Sequence, residues 1–155
     1  MTVILQIARQ ALSDYAQVLA LSRQDCDPVK IKIDFAPKPH RPTGLPSGYQ
    51  AVYCFFLADK ALKIGMAGPN SDARYRSQHY SPGSALSTLA GSLLSNPGKA
   101  GVPAIKSNFV GDWIKANTDR VNFLIPAPYG RAAASQMEAF LHARWSPIYE
   151  GRAAP

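Results

Sequence analysis

Few side chains in this chain can do chemistry. All eight aspartates fall in segments that read as surface, turns or helix caps, and the only glutamates are Glu138 and Glu150. Glu138 sits among Met137, Ala139, Phe140 and Leu141. A carboxylate there is either a solvated flank of a helix or a ligand for a hard cation, since Mg²⁺ is often held by one or two carboxylates with waters completing the shell. His142 follows one helical turn later on the same face, so the two form either a surface pair or a weak metal pair. Arg74, Arg76 and His79 share one short stretch. Two guanidinium forks there match a phosphodiester bidentately, and a solvated basic face is the alternative. Tyr53 and Lys63 lie in two neighbouring apolar runs. Tyrosine in a strand is usually packing, whereas a desolvated lysine loses proton affinity and becomes useful in proton transfer.

The elements that must position these groups are legible in outline. Residues 50–80 are the organising stretch: an apolar run to Ala58, a turn at Asp59-Lys60, a returning run closing on Ile64-Gly65, then a Gly/Pro/Asn loop into a basic, aromatic helix. Val52, Tyr53, Phe55 and Phe56 are strand formers, and Leu62-Lys63-Ile64-Gly65 reads as the second arm of a hairpin. Ser71 or Asn70 starts a helix over about Asp72–His79, which Pro82 blocks. Upstream, Ile4, Ile7, Ala11, Tyr15, Val18 and Leu21 recur at helical steps over residues 2–22, a stripe suited to a core or to a partner. Residues 31–35 alternate as a short strand does, with Lys32 and Asp34 outward. Four prolines and two glycines across residues 36–48 argue for an irregular arm, with His40-Arg41 either solvated or touching a phosphate. Downstream come mild helices over residues 84–95 and 108–117, a strand over 121–125, and the clearest helix, 132–144.

The order predicts an α+β domain: a small three-stranded antiparallel sheet flanked by helices, with an extra N-terminal helix. Residues 1–47 form the helix and Pro-rich arm, and residues 48–155 the main domain. Seventeen Lys+Arg against ten Asp+Glu leave a net charge of +7, which favours a polyanionic partner, nucleic acid first. The apolar share of 46% excludes a disordered polymer. Cys26 and Cys54 have neither CxxC spacing nor a histidine at zinc-ligand spacing, which suits a reducing, cytoplasmic setting. The N-terminal apolar run is interrupted by Arg9 too soon for a membrane span.

Ala51-Val52-Tyr53, Lys63-Ile64-Gly65 and the arginine helix that follows resemble the GIY-YIG nuclease domain, with AVY and KIG standing for its two name-giving tripeptides. Met137-Glu138-Ala139-Phe140-Leu141 resembles the family's segment with the metal-binding glutamate, and Pro147 and Tyr149 follow at a matching distance. The string from Ser71 to Tyr80 resembles its arginine helix. The resemblance spans about residues 48–151. It departs from the family at Lys63, where a second tyrosine is usual, and at Glu150, where an asparagine is usual.

The resemblance implies a DNA endonuclease using one Mg²⁺ or Mn²⁺. Glu138 is then the metal ligand, and Tyr53 the general base or the group orienting the attacking water. Lys63 assists its phenolate, Arg74 stabilises the transition state with Arg76 as competitor, and His79 helps to orient phosphate or water. Lys63, Arg74 and Arg76 would also bind the DNA, double-stranded or branched. Two other readings stand beside it. One is a catalytically inactive nucleic-acid-binding module of the same fold. The other is an interaction domain docking, or forming a homodimer, through its N-terminal helix.

Overall fold

The computed structural model describes residues 1–149. Its centre is a strand that is apolar throughout because both of its faces are covered. In β2 (Tyr49–Leu57), Val52, Cys54 and Phe56 point to one face and Ala51, Tyr53 and Phe55 to the other, and all six are buried. Such a run belongs in the middle of a sheet with layers on both sides. The hairpin partner is β3 (Lys60–Ala67), reached through a turn at Ala58-Asp59, one residue earlier than the sequence suggests. On the other flank of β2 lies β4 (Asp119–Pro126).

Among the described residues the sheet has four strands, not three. The alternating segment forms β1 (Lys32–Ala36) and pairs antiparallel with β4, so the order is β1-β4-β2-β3 with every pair antiparallel. Composition could not assign this strand a partner, because its neighbour in space lies far along the chain.

Two helices cover the first face. In α1 (Val3–Leu21) the buried stripe is Ile4, Ala8, Ala11, Tyr15 and Leu19; Leu21 points outward at 91% exposure. The stripe expected to serve a core or a partner thus packs into the chain's own core, together with α5 (Gly130–Trp145). Tyr15 Oη donates to Gln136 Oε1 at 2.9 Å, and Arg144 pairs with Asp14 at 2.7 Å, fixing α1 to α5. Residues 1–47 therefore share one core with the rest of the chain.

The second face is covered by three short helices, α2 (Asp72–Arg76), α3 (Leu89–Ser95) and α4 (Val110–Asn117), and by a single 3-10 turn, Gln78–Tyr80. The expected helix to His79 breaks after Arg76 and continues as that turn. The expected helix from Ser84 starts only at Leu89, where Thr88 caps it by accepting from Gly91 N–H at 2.9 Å. The Pro-rich arm packs down rather than projecting: Asp72 Oδ1 accepts Leu45 N–H at 2.8 Å, and His40 is buried. Among the described residues no helix is long and apolar enough to cross a membrane.

Candidate active site

β3 is one of the sheet's two edge strands, and a cleft of about 1080 Å³ runs along that edge. One wall comes from β3 and α2 with Lys63, Arg74 and Ser87, the other from α5 with Glu138, His142 and Arg131. Side chains from opposite faces of the sheet thus meet around its rim. A second hollow of about 310 Å³, lined by Asp59, Lys60 and Trp145 among others, brings together no comparable set.

Lys63 is 3% exposed and donates from Nζ to Ser87 Oγ at 2.8 Å. A bulge at Phe55/Phe56 sets its register opposite Phe55. Burial lowers its pKa, and the Arg74 charge adds to the effect. Arg74 is held by Nε donating to the Met66 carbonyl at 2.9 Å. Arg76 points elsewhere, half exposed, and pairs with Asp72 at 3.1 Å. Of the two competing arginines, only Arg74 lines the cleft.

Tyr53 and His79 lie behind the cleft wall rather than on it. Both are buried, with Tyr53 Oη and His79 Nε2 2.5 Å apart. Leu89 N–H donates to His79 Nδ1 at 3.2 Å. That nitrogen must therefore be the acceptor, so Nε2 carries the proton and donates it to Tyr53. Burial, then the charges of Lys63, Arg120 and Arg74, push the His79 pKa down to about 3. The imidazole is neutral at any ordinary pH. Burial pushes the Tyr53 phenol up, and the Arg74 and Arg120 guanidiniums offset part of the rise. The cationic side chains that act on this phenol are Arg74 and Arg120; Lys63, expected to ease the phenolate, is not among them.

Gly65 is required by this packing. It sits across from Tyr53, whose ring lies over it: a Cβ at residue 65 would meet Oη at 2.6 Å and Cζ at 2.9 Å.

Glu138 is partly buried at 24% exposure, with His142 Nε2 3.7 Å from its Oε1. Among the described residues no three His, Cys, Asp or Glu side chains converge. A single carboxylate facing an open cleft suits a hard cation that keeps most of its waters and takes substrate oxygens, as Mg²⁺ and Mn²⁺ do. It does not suit a closed zinc site. Glu150 lies outside the described residues.

Several site residues escape a reading of the sequence. Arg131 stands in the first turn of α5, Gln50 anchors that turn by donating to the Gly130 carbonyl at 2.7 Å, and Ser87 holds Lys63. Arg120 is buried beneath Tyr53. Its only signal is that it alternates with Val121 and Phe123 on the face of β4 that reads as outward. His40, expected in a solvated loop or on a phosphate, instead bonds the Thr118 carbonyl through Nδ1 and Tyr80 Oη through Nε2, each at 2.8 Å.

The chain matches no protein-family model, and comparison with curated proteins and with solved structures finds no match.

Proposed function

We propose that this chain is a divalent-metal-dependent endonuclease that hydrolyses DNA phosphodiester bonds by a GIY-YIG-like, one-metal mechanism. One observation carries the reading: Glu138, far along the chain in α5, folds back to the same cleft as Lys63 and Arg74. A cleft with three cations and one carboxylate fits a phosphodiester with a bridging metal better than it fits a neutral ligand.

Glu138 would hold the cation, which when bound supplies positive charge to the phosphoryl oxygens and the leaving oxygen. Arg74, fixed through Nε, turns its remaining N–H groups to the charge that develops on the phosphorus oxygens. Lys63 neutralises the diester and orients it through Ser87. Tyr53 as phenolate takes the proton of the attacking water. The water oxygen bonds phosphorus, the P–O ester bond breaks, and the departing oxygen takes a proton from solvent. An ordinary tyrosine titrates near pH ~10, so this step needs the oxyanion stabilised. The neutral His79, donating Nε2–H to Tyr53 Oη, supplies one fixed donor, and Arg74 supplies charge.

The burial of Tyr53 favours a second reading, the inactive nucleic-acid-binding module, which requires no phenolate to reach a water. Cleavage of plasmid, duplex and branched DNA with Mg²⁺ or Mn²⁺, wild type beside Glu138→Ala, separates the two. The nuclease reading expects metal-dependent cleavage that falls about a hundredfold or more in the variant. Salt-sensitive binding with no turnover on any substrate supports the binding module, and equal cleavage by both chains removes Glu138 from the mechanism.

A further inference from the structure

The second face of the sheet hides a full positive charge that the hydrolytic scheme leaves mostly unexplained. Arg120 is 2% exposed, and among the described residues no carboxylate lies within ion-pair distance of it. Among the described residues its hydrogen bonds go to neutral acceptors: Nε to Asn122 Oδ1 at 2.8 Å, Nη1 to Tyr80 Oη at 3.1 Å, and Nη2 to the Tyr75 carbonyl at 2.6 Å. Three rings enclose the guanidinium, with centroids at 4.6 Å for Tyr75, 5.1 Å for Phe55 and 5.2 Å for Tyr53. Burying a charge without a counter-charge is expensive, and apolar or neutral replacements of such groups are often as stable or more so. Packing alone is a poor reason to have an arginine here.

We propose that Arg120 is a positioning residue of the hydrolytic site, which clamps the Tyr53 ring from beneath and serves as the built-in counter-charge for its oxyanion. This rests on the reading of Tyr53 as proton acceptor.

The surroundings single out Tyr53 among the three tyrosines. Tyr75 donates to Asp34 Oδ2 at 3.4 Å, a carboxylate that opposes ionisation; burial first, and then that partner, push its hydroxyl up to about 12 against the opposing charge of Arg120. Tyr80 is committed elsewhere. His40 donates from Nδ1 to the Thr118 carbonyl, so its Nε2 accepts the Tyr80 proton, while Tyr80 Oη accepts from Arg120. Tyr53 alone has guanidiniums acting from two elements, Arg74 on α2 and Arg120 on β4. It also takes a donor from His79; burial, the largest influence, opposes ionisation, and among the charged side chains so does Glu138 on α5. The clamp is itself braced: Asn122 accepts from Arg120 and donates from Nδ2 to Asp34 Oδ2 at 3.0 Å. Asp34 lies on β1, so the N-terminal strand outside the nuclease-like region helps to aim the arginine.

The test reads Tyr53 directly and needs no substrate. Tyr53→difluorotyrosine brings the phenol's titration into an accessible range and reports it by fluorine NMR. Arg120→Gln removes the charge and keeps an amide donor for Tyr80 or the Tyr75 carbonyl. It is expected to raise the Tyr53 midpoint by about one unit or more, tenfold in proton affinity. Arg120→Lys keeps the charge but loses the fork, and a smaller rise of about half a unit is expected. An unchanged midpoint in folded Arg120→Gln overturns the proposal. If that chain does not fold, an unchanged midpoint in Arg120→Lys does so. In cleavage, the acid limb of the kcat/KM profile should move up with the midpoint while KM stays within about twofold. A shifted midpoint in a chain that cuts no DNA leaves the Arg120 inference standing and removes the nuclease reading. An unshifted midpoint in an active nuclease does the reverse.

Discussion

His79 makes the pH dependence of stability a direct probe of the site. The folded protein holds this imidazole at a pKa of about 3, against an ordinary value of 6.5. Between those values the unfolded chain binds a proton that the folded chain refuses, so stability falls as pH falls through the window and levels off below its lower end. From pH 7 to pH 5 the loss is about 2 kcal/mol, and its ceiling at lower pH is about 5 kcal/mol. Against a typical domain stability of roughly 5–15 kcal/mol that is a large share. His40, also lowered by burial, adds in the same direction. Keeping to pH 5–7 avoids most carboxylate titration. Urea unfolding across that range should show the midpoint dropping steeply for the wild type and less steeply for His79→Gln. That variant keeps a donor for Tyr53 and has nothing to titrate. It loses the acceptor for Leu89 N–H and starts from a lower level, so the slope is the measurement. Parallel slopes for the two chains would refute the burial and hydrogen bonding assigned to His79, and with them the fixed donor to Tyr53.

Two further outcomes follow from the geometry. Gly65→Ala puts a methyl at 2.6 Å from Oη of the fully buried Tyr53; thermal and urea unfolding should show about 1–3 kcal/mol of destabilisation together with loss of cleavage, and a wild-type stability would mean that the ring does not rest there. Lys63→Met should weaken binding of a labelled oligonucleotide and lessen the salt slope of log Kd by about one, measured by anisotropy across a salt series; an unchanged slope takes Lys63 off the phosphate.

What the sequence made legible is the part of the fold that local periodicity encodes. The unbroken apolar run of β2 states that both its faces are buried, and the helical stripe of α1 survives almost intact, losing only Leu21 to solvent. Arg74 and Arg76 could not be told apart, because a helix of five residues has too few turns for periodicity to mark a face. The structure separates them through the Met66 carbonyl for one and Asp72 for the other. Arg120, Asn122 and Asp34 all occupy positions that strand alternation assigns to solvent. They are covered instead by elements that pack over the sheet from other parts of the chain, and nothing local signals that cover. His40 was hidden likewise, since a Pro-rich stretch says that the backbone is irregular but not whether it lies against the core.

The edge location of the cleft is what the proposed chemistry needs. In a sheet covered on both sides, a side chain on one face and a helix on the other stand about 10 Å apart with backbone between them. Only at a rim can Lys63 and Arg74 share a space with Glu138. An exposed edge strand invites pairing with another chain, and β3 is guarded at both ends. Ile148 and Tyr149 donate backbone N–H groups to the Ala61 and Leu62 carbonyls, at 3.0 and 2.8 Å, and Arg74 occupies the Met66 carbonyl. The stretch around Ile64 between them stays open to the cleft. Tyr53, however, belongs to β2, one strand in from that rim. It can approach the edge only by laying its ring across its β3 neighbour, and a glycine is the one residue there that lets it pass. The glycine of Lys63-Ile64-Gly65 thus does more than mark a motif. Its missing side chain brings the phenol from an inner strand close behind the wall that carries Lys63 and Arg74, and a side chain at that position would push the ring away from that wall.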